Sequence, residues 1–141
     1  MRAPSILFAG LAAVLAFGLP AHGQDKPAAS VLPSPVVGGA QSLIYVVSGV
    51  YDNGGADNTG RATTFFCTNA STVAETLRLV VRSAGGTIVS DLSFNLASAQ
   101  TFTLSTHFTV PFGEDASLAT GGVNGGFAFI FSTTQLMFCS G

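Results

Sequence analysis

His107 is the one histidine of residues 24–141, and it stands in the run Ser105-Thr106-His107-Phe108-Thr109. A Ser–His–Asp relay needs such a base, held by a carboxylate and hydrogen-bonded to a nucleophile. The chain has no G-x-S-x-G elbow to present that nucleophile. The alternation around His107 also puts it on the polar side of a strand. It reads as an exposed strand histidine, and no catalytic residue is assigned. Glu114 and Asp115 could act as an acid/base pair only if they faced one substrate from two sides of a cleft, as glycosidase carboxylates do. Adjacent positions do not arrange that, so both read as a solvated loop tip. The richest oxygen cluster is Asp52-Asn53-Gly54-Gly55-Ala56-Asp57-Asn58. Calcium takes six to eight oxygens from a turning loop, which makes Asp52, Asp57 and Asn58 the calcium candidates, with Glu114 and Asp115 as conceivable extra ligands. The EF-hand order is absent, and Asn-Gly runs are hairpin-loop material. The loop is read as a turn, and no metal or cofactor is assigned.

Cys67 and Cys139 are the only cysteines. Two thiols without C-x-x-C spacing and without a further ligand set suit a structural disulfide better than a redox or metal site. Such a bond suits an oxidising compartment. The N-terminus agrees: Arg2 precedes an apolar run at residues 6–19, and Pro20 then leads to Ala21-His22-Gly23. That order is a secretory signal peptide, residues 1–23, cut after Gly23. Its apolar run is shorter than the ~20 residues that span a bilayer as a helix. Residues 24–40 (QDKPAASVLPSPVVGGA) carry three prolines without periodicity and read as a flexible stalk. Residues 41–141 then form one domain. After cleavage, Lys26, Arg61, Arg78 and Arg82 face seven acids, a net charge of −3. Nucleic acid and anionic lipid, which need clustered Lys and Arg, are excluded as partners, as is membrane insertion of the processed chain.

The elements that position these residues follow a period of two. Residues 41–51 (QSLIYVVSGVY) read as a strand buried on both faces, and residues 61–68 (RATTFFCT) as a second. In residues 73–82, Leu77, Leu79 and Val81 share one face and Thr76, Arg78 and Arg82 the other. Ala84-Gly85-Gly86 turns the chain into a strand on which Ile88, Leu92, Phe94 and Leu96 share a face. The next strand runs through residues 101–110, with Phe102, Leu104, Phe108 and Val110 inward. Residues 120–126 (TGGVNGG) form a glycine-rich loop before Phe127, Phe129 and Phe131, and residues 135–139 (QLMFC) close the chain as a hairpin arm. The fold class is all-β: an antiparallel two-sheet, Ig-like sandwich of about seven strands with one disulfide, the alternative being a small β-barrel. Ten of the twelve phenylalanines follow residue 24, and the usual burial of Phe assigns most of them to the core. Tyr45 and Tyr51 read as same-face neighbours and, with Phe65 and Phe66 beside the cysteine, as the aromatics available to a glycan. Asn69-Ala70-Ser71 matches a glycosylation sequon but reads as the turn after Cys67.

Thr63-Thr64-Phe65-Phe66-Cys67-Thr68-Asn69, the strand at residues 77–82, Gly85-Gly86-Thr87 and Leu136-Met137-Phe138-Cys139 together resemble a functionally uncharacterised group of small exported bacterial proteins. These share a T-x-x-x-C-T-N strand and a C-terminal strand with the partner cysteine. The resemblance covers residues 41–141, implies a one-disulfide β-sandwich and carries over no catalytic residue. Chaperone–usher pilins also join one disulfide to an Ig-like fold. This chain departs from them in its late second cysteine and in lacking a penultimate tyrosine.

The functional expectation is an exported structural or interaction module, periplasmic or secreted, without enzymatic activity, whose partner is a protein or a surface glycan. Two alternatives stand beside it. One is a calcium- or carbohydrate-binding module using the Asp52–Asn58 and Gly121–Gly126 loops. The other is a pilin-like self-assembling subunit that pairs through an apolar edge strand such as residues 127–131 (FAFIF).

Overall fold

The computed structural model describes residues 40–141; the signal peptide expected at residues 1–23 and all of the expected stalk but Ala40 lie outside the described residues. Eight strands follow one another: β1 (Ser42–Asp52), β2 (Thr64–Asn69), β3 (Glu75–Arg82), β4 (Ile88–Leu96), β5 (Thr101–Ser105), β6 (Ala116–Ser117), β7 (Val123–Ser132) and β8 (Met137–Ser140). They form two four-stranded sheets, ordered β1-β7-β3-β4 and β6-β5-β2-β8, packed as a sandwich. All pairings are antiparallel except the two-residue pairing of β5 with β6.

The inner faces supply the core. Val50, Leu77, Leu79, Val81, Phe94, Leu96, Ala128 and Ile130 come from the first sheet, and Phe65, Cys67, Leu104 and Met137 from the second. The alternation of β3 therefore reads directly into structure, with Leu77, Leu79 and Val81 fully buried. The expected turn after it forms as well. Ser83 N–H donates to the Thr87 carbonyl at 2.9 Å, and Gly86 takes a φ of +86°, open to glycine at no steric cost.

Cys67 and Cys139 are bonded, with a Cα–Cα distance of 4.2 Å. They stand directly opposite each other on β2 and β8, so the bridge locks neighbouring strands of one sheet. A disulfide fits an oxidising, extracytoplasmic setting.

Several expectations are corrected. β1 is an edge strand, and only Val50 and Asp52 of it are buried; its apolar content had suggested burial on both faces. β7 lies between β1 and β3, so residues 127–131 are not an edge. β8 leaves β7 for the other sheet and pairs with β2 rather than closing a hairpin. β5 ends at Ser105, and beyond it Val110 is 74% exposed, because the chain turns away instead of continuing the alternation.

Candidate functional site

Asp52 ends β1 with its carboxylate turned inward, 3% exposed. Oδ1 accepts the Gly54 N–H at 2.7 Å, and Oδ2 accepts from His107 Nδ1 at 2.9 Å and from Thr120 Oγ1 at 3.2 Å. His107 Nε2 donates to the Thr59 carbonyl at 2.8 Å. A carbonyl can only accept, so Nε2 carries a proton; against a carboxylate Nδ1 carries one too. The pocket favours the imidazolium form of the buried ring. The Asp52 hydrogen bond raises its pKa, burial opposes that, and the Thr59 carbonyl and the Asp57 charge add to the rise. Burial pushes Asp52 up, but the His107 and Gly54 hydrogen bonds together bring it below its ordinary value.

His107 is thus no exposed strand histidine. The chain leaves β5 at Ser105, and the Ser105 hydroxyl donates to the His107 carbonyl, turning the imidazole inward. Asp52, Thr106 and His107, with loop residues from Gly54 to Asp57 and from Ser117 to Gly121, line a shallow open cleft of about 570 Å³. With both ring nitrogens donating, the imidazole has no lone pair with which to take a proton from a nucleophile. The pair ties β1 to the loops holding Thr59 and Thr120.

The calcium candidates do not present a common set of free oxygens. Asp52 spends both carboxylate oxygens on internal donors, whereas Asp57 and Asn58 are exposed. Asn58 sits at a φ of +64° and gives its N–H to the Phe108 carbonyl at 2.8 Å, so it acts as a turn residue. Among the described residues, no group of three or more His, Cys, Asp and Glu converges as a metal site. Glu114, expected at a solvated tip, is 6% exposed and accepts the Thr109 N–H at 3.0 Å and the Thr109 hydroxyl. Burial pushes its carboxyl up, and the Thr109 hydrogen bonds outweigh that and hold it low. Asp115 accepts the Thr103 N–H at 2.8 Å, bracing β5. Asn69 is fully buried. Its amide donates to the carbonyls of Val73, Leu96 and Ala97 and accepts the Ser71 N–H, so the sequon asparagine pins the turn after β2.

The largest departure from expectation is aromatic. Of the phenylalanines assigned to the core, only Phe65 and Phe94 are buried. Phe127, Phe129 and Phe131 are half-buried on the outer face of the first sheet, while Ala128, Ile130 and Ser132 fill the inner one. Cross-strand pairing assembles that outer face. Leu43, Val46 and Ser48 of β1 stand opposite Phe131, Phe129 and Phe127, and Arg78, Val80 and Arg82 of β3 flank the same rings on the other side. Phe127 and Phe129 meet edge-to-face at 5.3 Å, with their planes 80° apart. The Arg78 guanidinium lies 5.7 Å from the Phe131 ring centre, and that of Arg82 lies 5.9 Å from Phe129. Arg78 also grips Asp91 of β4, Nε to Oδ1 at 2.7 Å and Nη2 to Oδ2 at 2.6 Å. A groove of about 310 Å³ runs among Leu43, Val80, Ile88, Phe129 and Phe131.

Two of the three arginines among the described residues lie on this face beside one acid, although the described domain as a whole carries six acids. Period-two alternation does not say which side is inward. The usable signal was residue size: Gly126 and Ala128 sit where β7 must approach its neighbours, which leaves the large rings outside. The outer face of the second sheet carries Phe66, which meets Phe112 edge-to-face at 5.6 Å, and Phe138; its four strands contain no charged residue. Tyr45 packs against the core and Tyr51 is exposed, since β1 shifts register between Ser48 and Val50, so they form no aromatic pair.

Comparison with family models, with characterised proteins and with solved structures finds no match for this chain.

Proposed function

We propose that this protein is an exported interaction module without enzymatic activity, processed after Gly23 and working in the periplasm or outside the cell. Its binding surface is the outer face of the β1-β7-β3-β4 sheet, and its partner is a protein surface of apolar side chains bearing carboxylates. One observation carries the reading: three phenylalanines form a ladder along β7, with Leu43 and Val46 on one side and Arg78 and Arg82 on the other. A solvated sheet face is normally polar, and a contiguous apolar patch rimmed by charge marks an interaction site. The arginines match the surface to carboxylates, on a domain otherwise dominated by acids. A protein partner is favoured over a glycan because Phe127 and Phe129 stand 80° apart and offer a sugar ring no flat platform. The closed hydrogen bonding of His107 supports the non-enzymatic part.

Anilinonaphthalene sulfonate, an apolar anion, is a direct probe of that chemistry. Fluorescence titration of the folded chain is expected to show saturable binding, weakened at least tenfold by Phe129→Ser and by Arg82→Ser and unchanged by Phe138→Ser on the opposite sheet. Binding that is absent, or that only Phe138→Ser removes, would overturn the assignment of the face. Hydrolytic turnover by the purified protein, abolished by His107→Ala, would overturn the non-enzymatic part.

A further inference from the structure

The sandwich has four strand edges, and three are guarded in ways that natural sheets use against unwanted pairing. β1 is broken by register shifts between Leu43 and Tyr45, between Ser48 and Val50, and between Val50 and Asp52. β6 has two residues and β8 four. β4 is different. It runs for nine residues, pairs only with β3, and keeps unbroken register from Leu96 to Ser90. It contains no proline and no lysine, and Ile88 and Leu92 are exposed. Asn69 covers the Leu96 carbonyl at its end. The one charge on the strand, Asp91, is neutralised by the two-point contact with Arg78 from the neighbouring strand. A carboxylate held that way gives little of the repulsion by which a charged edge keeps a like edge away.

We infer that β4 is a pairing edge whose occupant is β4 of a second copy, joined antiparallel about a two-fold axis at Leu92. The strand is self-complementary in that register. Leu92 meets its own copy on the core side, where it already stands opposite the buried Leu79. Asp91 falls opposite the small, neutral Ser93, and Ser90 opposite Phe94. The axis stands perpendicular to the sheet, so two four-stranded sheets become one of eight, and the two phenylalanine ladders lie on the same side of it. Doubling the face in this way gives a partner with repeated sites two linked contacts instead of one, which raises avidity without a new interaction.

Sedimentation of the processed chain from micromolar to millimolar concentration tests this, together with amide hydrogen exchange over the same range. The expected result is a monomer–dimer equilibrium, with exchange at β4 slowing as concentration rises. Leu92→Lys should raise the dimer dissociation constant at least tenfold, and Phe129→Lys should leave it unchanged. The exchange measurement needs no variant, so it stands even if Leu92→Lys folds poorly. A monomer at every concentration, or β4 exchange independent of concentration, would overturn the inference. So would a dimer that Phe129→Lys abolishes and Leu92→Lys leaves intact; that outcome places the contact on the ladder and leaves the binding face itself standing.

Discussion

Replacing His107 by alanine removes the cation from a pocket that holds a carboxylate 3% exposed, and it strands the Thr59 carbonyl. Breaking a buried ion pair from one side costs about 3–5 kcal/mol, because the remaining charge is left uncompensated. At roughly 2.1 cal/mol/K per residue, unfolding a domain of ~100 residues carries an entropy near 0.21 kcal/mol/K, so the Tm should fall by about 15–25 °C. An exposed strand histidine would change stability by only ~0.5 kcal/mol, a shift of about 2 °C. Melting followed by far-ultraviolet circular dichroism at pH 5.5 separates the two. A drop below about 5 °C on that entropy scale would refute the clamp.

The pH profile gives a second readout of the same pair. The folded His107 pKa lies above its ordinary 6.5, so its contribution is complete below that pH and is lost as the pH rises through the folded value. Asp52 lies below its ordinary 3.8, so its share is present above that pH and is lost as the pH falls through the folded value. Tm should therefore hold a plateau between about pH 4 and 6.5 and decline on both sides, and His107→Ala should remove its part of the decline above pH 6.5.

Reducing the Cys67–Cys139 bond, which spans 72 residues, should lower stability by up to about 4 kcal/mol in denaturant titrations with and without reductant. Asn69→Ala should cost about 2–3 kcal/mol in the same titrations, since three carbonyls lose their donor in a buried turn. Gly126→Ala drives a Cβ into the Arg82 carbonyl and the Val123 methyl, and the forced shift of β7 should cost about 1–3 kcal/mol.

Much of the fold was written locally. The alternation of Leu77, Leu79 and Val81, the glycine turn at Gly86 and the lone cysteine pair all reflect short-range geometry, and each led to the observed strand, turn and bridge. Sheet order was not legible. That β7 runs between β1 and β3, and that β8 crosses to β2, depends on which faces find partners in space. The aromatic outer face of the first sheet was missed for a related reason. Period two divides β7 into two sets, and assigning the phenylalanines to the core followed the average behaviour of Phe rather than the tight space beside Gly126. His107 was misplaced because alternation was extended past Ser105, where the strand ends. The Asp52–His107 contact joins residues 55 apart in the chain and leaves no local pattern.

The phenylalanine–arginine face is proposed as the place where this protein meets its partner. Its most direct test is a two-dimensional NMR titration of the isotope-labelled chain with a synthetic peptide of alternating leucine and glutamate. Amide shifts are expected to concentrate at residues 43–48, 78–82 and 127–131, with Arg82→Glu abolishing them. Shifts gathered on the Asp52–His107 cleft or on the Phe66–Phe138 side, or no shifts at all, would contradict the proposal.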